Sequence, residues 1–520
     1  MKRAPLTFTA RGWAWPAALL LLALGLRAAS LAGQGFDGLY GQDPYAYYKY
    51  AVGPLREALL HFQAPPPFFW PPGFPLLILL ATFAVGVTPI AGQWISLLAG
   101  SLAPVLTYAL ACELAADLEA GAPPAVRLPA WVPGFAGLLA AVHPQLWQSS
   151  IVVMSDTTAL AAGTLGGWAL ARYARLGRAR WLALSAAALA YAIATRWAFA
   201  LVALPCAAYG VYLLVRRGRA RGQGARALAQ AAGVVLCGGL VLVALLGPGL
   251  LGRSTGAAPG FTGDLAVYSW SPLNFARREF VTIDGVLRYR LPNGLYYLLS
   301  AGHPFYFTPL LALLLAPGLW LILRRRRALV LTLLAAWPAL VLGFHAGAPW
   351  QNFRFTLAAL PPLAVLAALG AAQAHAWLSP RFRWLLPATA AVGLAWMLVG
   401  GWQLSRQFIE RKRADLALMA AVTAQAPPQT QLLTFSLTDT FAYYSGLDTY
   451  ELYALDTSQV AALAADGRPT LLLIDVNNVE SQWLGRAPSD NYHWLRDGPG
   501  LDRLGQYQSY TLFKVRCACP

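Results

Sequence analysis

Five charged residues sit where packing alone gives them little reason to be. Asp37 and Asp43 fall in Asp37-Gly-Leu-Tyr-Gly-Gln-Asp43-Pro-Tyr-Ala-Tyr-Tyr-Lys-Tyr50, directly after the first long apolar run. Asp156 stands at the mouth of a later run, in Val-Val-Met-Ser-Asp156-Thr-Thr. Arg196 ends another (Ala-Thr-Arg196-Trp), and Arg354 precedes one more (Asn352-Phe-Arg354-Phe). A carboxylate at the edge of an apolar segment loses solvation, so it needs a partner or a task. Guanidinium forks match phosphate oxygens. A carboxylate within reach of a hydroxyl can take its proton, and cations beside a phosphate stabilise the charge it gains on leaving. Together these residue types suit displacement of a phosphate by a hydroxyl. His303, in Ala-Gly-His303-Pro-Phe, is the candidate ligand for a divalent metal, whose requirement stays open.

Each of these residues also has a structural reading. Asp43 before Pro44 fits a helix N-cap. Asp37 among glycines fits a turn, and Asp156 a second helix cap. Arg196 and Arg354 fit interfacial anchors that reach for head groups, and the tyrosines of 45–50 an aromatic belt. His303 fits a structural role.

The elements that must position these residues are membrane helices. The 520-residue chain is 58% hydrophobic and 12% charged, with mean hydropathy +0.51, whereas soluble domains carry roughly 25% charged residues. Apolar runs predict about eleven spanning helices, at approximately 13–31, 92–114, 131–147, 156–173, 181–196, 199–215, 229–251, 305–323, 328–345, 356–373 and 384–402. The first is expected to be a retained signal-anchor, with its basic flank (Lys2, Arg3, Arg11) in the cytoplasm. The short apolar run 74–87 is expected not to span. That parity puts the arginine clusters 172–180, 216–226, 324–327 and 381–383 in the cytoplasm, as the positive-inside rule demands. It leaves a first external loop at about 33–91 with an amphipathic interfacial helix at 45–62. It also places Asp37, Asp43, Asp156, Arg196 and Arg354 at the outer face. A long outer loop over 252–304 carries Asp264, Glu279 and Asp284.

The net charge of +17 belongs to these topology signals, and nucleic-acid binding is excluded on that ground. Cys112, Cys206 and Cys237 read as small hydrophobes. Cys517 and Cys519 lack a second pair at metal spacing. From about residue 405 the character changes: twelve of the 22 acidic residues lie there. Strands are expected at 431–436, 469–475 and 507–515, with a helix at 457–465. The expected organisation is a transmembrane domain over 1–404 and a small extracytoplasmic α/β domain over 405–520.

Several of these segments, in order, resemble the GT-C fold glycosyltransferases that use polyprenyl-phosphate sugars, including protein O-mannosyltransferases and aminoarabinose transferases. Asp43-Pro-Tyr-Ala-Tyr-Tyr-Lys-Tyr-Ala is similar to the acidic motif of their first external loop. Trp70-Pro-Pro-Gly-Phe-Pro-Leu-Leu resembles their Pro-Pro-x-x-Pro-Leu segment, and Met154-Ser155-Asp156 stands where they have a second acidic residue. Arg196 stands at their basic position near the donor phosphate, and Arg354-Phe-Thr-Leu-Ala-Ala-Leu-Pro-Pro-Leu resembles R-Y-L-L-P-x-L-P-P-L. The sequence departs from the family at Pro44, where many relatives have a second acid. The resemblance implies an inverting glycosyltransferase of the cell membrane, with a lipid-linked sugar donor and a glycan, lipid or protein acceptor. In it Asp43 is the base or the group that positions the acceptor, Asp156 assists it or holds a metal, and Arg354 and Arg196 hold the donor phosphate. The alternative is a multi-pass transporter or flippase of lipid-linked glycans. That reading predicts charges near the bilayer midplane, whereas here the outward acids gather at one interface.

Overall fold

The computed structural model describes residues 10–120, 127–221, 224–254 and 267–516. Lys2, Arg3, Asp264, Cys517 and Cys519 lie outside them. The chain forms two compact units. The first comprises 1–39, 46–275 and 293–406, and the second 40–45, 276–292 and 407–520.

The first unit is helical. Among the described residues, eight helices of the chain are long and apolar enough to cross a membrane, fewer than the eleven expected. The other three segments are helical but fall short of that standard. The run at 131–147 breaks at His143-Pro144 into Val132–Ala141 and Pro144–Ser150. The helix Ser155–Leu176 is long, but threonine, glycine and arginine dilute its apolar residues. Ala179–Thr195 has 17 residues. Gly73–Val85, at 13 residues, reaches only about 20 Å against the ~30 Å of a hydrocarbon core.

Burial sorts the long helices. Leu360–Trp377 is buried at every position from Leu360 to Ala372, which makes it the central helix of its unit. Ala227–Gly247 is just as apolar yet has no buried residue, as suits a lipid-facing helix. Glu113 accepts both Nε (2.6 Å) and Nη2 (2.9 Å) of Arg175 and pairs with Arg172 at 3.2 Å. This acid therefore neutralises part of an arginine cluster.

The stretch 45–62 is not one amphipathic helix. It divides at Gly53-Pro54 into Gln42–Val52 and Pro54–Leu60. Tyr45, Tyr47, Tyr48 and Tyr50 are buried rather than forming a belt. Each hydroxyl or ring has somewhere to go: Tyr47 meets Ser155 Oγ at 3.0 Å, while Tyr50 donates to Pro66 O at 2.8 Å and stacks on Phe68 at 4.0 Å.

The second unit holds a two-stranded hairpin, β1 (Glu279–Thr282) and β2 (Gly285–Arg288), and a five-stranded sheet. The sheet comprises β3 (Gln431–Thr434), β4 (Asp448–Glu451), β5 (Thr470–Ile474), β6 (Leu501–Tyr507) and β7 (Tyr510–Val515), in the order β4-β3-β5-β7-β6. β3 runs parallel to β4 and β5, whereas β7 is antiparallel to β5 and β6. Side chains alternate across the sheet. Leu433, Leu472 and Ile474 pack with Val460 and Leu495 on one face, and Leu432, Leu471 and Leu473 with Val422 and Phe441 on the other. Two-sided burial explains why β3 and β5 read as continuous apolar runs. The hairpin is tied in by Arg486, which donates to Thr282 O at 2.9 Å, and Gln482, which donates to Asp284 O at 2.8 Å.

Candidate active site

The site is built around Asp156. Met154 is extended and Ser155 opens the helix Ser155–Leu176, so Asp156 falls in the first turn. There the helix dipole favours a negative charge. The preceding strand of chain is held from three sides. Ser96 donates to Met154 O at 3.1 Å and accepts from Met154 N–H at 3.2 Å. Thr157 donates to Ser96 O at 3.0 Å. Gln93 donates to both Ile151 O (2.9 Å) and Phe36 O (3.1 Å).

Two arginines converge on the carboxylate. Arg196 is the extended residue that ends Ala179–Thr195, and its Nη1 lies 3.2 Å from Asp156 Oδ1. Arg354 sits on the 3-10 turn Phe353–Ala359, whose start is capped by Asn352 accepting from Arg354 N–H at 2.9 Å. Its Nε lies 3.8 Å from Asp156 Oδ2. Both guanidiniums flank the Phe355 ring, at 5.9 and 5.8 Å. Phe355 stacks in turn on His345 at 5.0 Å. Asp156 is 3% exposed, and its Oδ2 makes no hydrogen bond among the described residues. One carboxylate is thus shared between two guanidiniums. A carboxylate so placed aims both guanidiniums, and guanidinium forks suit an anion.

Asp37 lies in the same unit. Its Oδ1 accepts from Leu39 N–H at 3.1 Å, closing a turn through Gly38. Gly38 has φ +86°, and a Cβ there would lie 2.9 Å from Val153. Gly38 O accepts from Val153 N–H at 3.0 Å. The turn holding Asp37 and the strand leading to Asp156 are thus stitched together.

His303 also lies in the first unit. Its Nδ1 accepts from Phe305 N–H at 3.2 Å and its ring lies 4.0 Å from Phe353. Partial burial pushes its pKa down. Among the described residues no three His, Cys, Asp or Glu side chains converge as a metal set would.

Asp43 belongs to the second unit, in the first turn of Gln42–Val52 and half-buried. The structure thus brings together Asp156, Arg196 and Arg354 of the residues singled out from sequence. It adds Gln93 and Ser96, which sequence reasoning missed. Their signal was two polar side chains three residues apart in an otherwise apolar run, which places them on one helical face.

An apolar groove of about 190 Å³ lies in the first unit, lined by Tyr50, Phe68, Trp70, Pro72, Leu76 and Leu246 among others. Its wall continues to the helix that ends at Arg196. Gly73 follows Pro72 and packs on the end of Ala179–Thr195, where Tyr191 donates to Gly73 O at 2.9 Å.

No family model and no curated protein matches this sequence. Solved structures match its fold. ArnT from Cupriavidus metallidurans, bound to undecaprenyl phosphate, aligns with a TM-score of 0.62 over 98% of this chain and 99% of that one, at 15% identity. The oligosaccharyltransferase AglB from Archaeoglobus fulgidus, in complex with an inhibitory peptide and a dolichol-phosphate, aligns at 0.58 over 98% and 75%, with 12% identity. The chain therefore shares its overall fold with these two proteins.

Proposed function

We propose that this chain is a membrane glycosyltransferase that moves a sugar from a polyprenyl-phosphate donor to an acceptor hydroxyl. The observation that carries this reading is the buried Asp156 carboxylate between Arg196 and Arg354, two guanidiniums brought together at a helix N-terminus. In the reaction, the acceptor oxygen attacks the anomeric carbon and its proton passes to the Asp43 carboxylate. The bond from that carbon to phosphate breaks, and the electron pair leaves on the phosphate oxygen. Arg196 and Arg354 stabilise that charge, while Asp156 fixes the direction of their N–H groups. Attack opposite the leaving phosphate inverts the anomeric centre. The groove at Trp70 and Leu76 takes the first isoprene units of the donor. The first external loop and the 405–520 domain lie outside the cell membrane, where lipid-linked donors present their head groups.

The test is purified protein in lipid nanodiscs supplied with polyprenyl-phosphate sugars labelled in the sugar. The expected result is release of polyprenyl phosphate that is lost in Asp43→Asn and in Arg354→Ala. Absence of both donor binding and donor turnover across the common hexoses and pentoses overturns the reading. Movement of intact donor between leaflets without bond cleavage would favour a flippase instead.

A further inference from the structure

Lys412 is a buried charge that the reaction above does not use. It lies on the helix Leu385–Thr423, in the part belonging to the second unit, and is 4% exposed. Its ammonium donates to Tyr45 Oη and to Tyr444 Oη, each at 2.8 Å. It also faces both rings, 4.1 Å from the Tyr444 centroid and 5.1 Å from that of Tyr45. Burying an ammonium is costly unless its donors are met, and phenol oxygens and ring faces together meet them.

Tyr45 is the key contact. It is 1% exposed and two residues beyond Asp43 on the same first turn. Its oxygen accepts from Lys412 and shares a hydrogen bond with Thr440 Oγ1, 3.2 Å away. The Tyr443 and Tyr444 rings pack on it at 6.1 and 6.4 Å. On the other side of Asp43, Tyr40 meets the Phe408 ring edge-on at 4.9 Å. The segment 40–45, drawn from the first external loop, clusters with the C-terminal part of the chain.

We infer that Lys412 is a positioning residue for the transfer reaction. Through Tyr45 it fixes the turn that carries Asp43, so the C-terminal domain acts on catalysis by holding the reacting carboxylate. This inference rests on Asp43 being the proton acceptor.

The experiment compares Asp43→Asn, Lys412→Met, Tyr45→Phe and the Lys412→Met/Tyr45→Phe double variant, each as full-length protein in nanodiscs. Tyr45→Phe keeps the ring and loses the oxygen that links both Lys412 and Thr440 to the turn, and the double variant isolates the Lys412 share. The expected result is a fall in kcat of about 10–100-fold in each single variant, the scale of a misplacement near 1 Å. Donor KM stays within about twofold, because donor binding does not depend on Asp43. The double variant is no worse than the lower single, since one linkage is cut twice. A merely structural lysine would lower the folded fraction and leave the kcat of the folded enzyme unchanged. If Asp43→Asn is inactive while folded Lys412→Met and Tyr45→Phe turn over at the wild-type rate, the positioning role is overturned and Asp43 keeps its own. If Asp43→Asn turns over normally, the assignment of Asp43 falls and this inference falls with it. Should Lys412→Met fail to fold, Tyr45→Phe decides alone.

Discussion

At the scale of single residues, the decisive feature is that Asp156 meets two arginines rather than water. Arg196 and Arg354 come from segments far apart in sequence, so the carboxylate sets both guanidiniums at once. Removing Arg354 as Arg354→Ala is expected to lower kcat by about 10²–10³-fold, the scale seen when one donor to a developing oxyanion is lost. Arg354→Lys should recover little, because an ammonium lacks the planar fork. Single-turnover rates with labelled donor check both. Asp156→Asn combined with Arg196→Ala should be less damaging than the two effects multiplied, since they break the same ion pair. A second residue-scale prediction concerns Glu451, whose carboxyl is pushed up by burial while the Thr438 hydroxyl, donating at 2.7 Å, pulls it back. A carboxyl raised by folding favours the fold while protonated, and that contribution is lost as pH rises through the folded pKa. Glu451→Gln does not titrate. Its Tm minus that of wild type is therefore expected to increase from pH 4 toward pH 8, and a flat difference in thermal scans would refute the shift. The sequence showed the acids and arginines of this site because charged residues are sparse in its apolar runs. It could not show their pairing, since Asp156, Arg196 and Arg354 meet only after three helices have packed. Lys412 was harder still. Only four of the 39 basic residues are lysine, and that scarcity was its single signal.

At the scale of elements, the helix ends do the positioning. Asp156 opens one helix, Arg196 ends another and Arg354 lies on a 3-10 turn before a third. Gly73 is the joint between the Trp70-Pro-Pro turn and the helix that ends at Arg196. A Cβ there would lie 2.6 Å from Ala194 O, a backbone atom with no freedom to swing away. Gly73→Ala is expected to cost about 1–3 kcal/mol through overpacking and to weaken donor binding as Arg196 shifts. Thermal unfolding and a donor titration measure the two effects. Normal affinity in a destabilised variant would separate Gly73 from the site. Long uninterrupted apolar runs were legible as helices, as were the strands at 431–436 and 469–475. The break at Gly53-Pro54 was missed because tyrosines at 45–50 imitate an amphipathic face while being buried by specific partners. The weak spanning character of Ser155–Leu176 was missed because its threonines and glycines pack against neighbours instead of lipid.

At the scale of the whole molecule, the first unit combines two things that a lipid phosphate needs. The groove at Phe68, Trp70 and Leu76 offers apolar walls. The arginine group offers compensating charge, and Gly73 and Tyr191 connect the groove wall to the helix that ends at Arg196. An isoprenoid tail gains about 0.8 kcal/mol per buried methylene, so on the proposed function the groove would add affinity for the tail and none for the transition state of transfer. Such uniform binding lowers KM without raising kcat. The discriminating variant is therefore Leu76→Trp, which fills the groove and leaves the arginines alone. With a donor carrying a full-length polyprenyl chain, KM is expected to rise by about tenfold, the loss of roughly two buried methylenes, at unchanged kcat. With a short donor, a sugar phosphate that carries no isoprene unit, wild type and variant should become alike, because neither gains from the groove. Equal KM values for the two proteins with the long donor would place the tail elsewhere, and a fall in kcat with the short donor would mean that the groove acts on the arginine group itself.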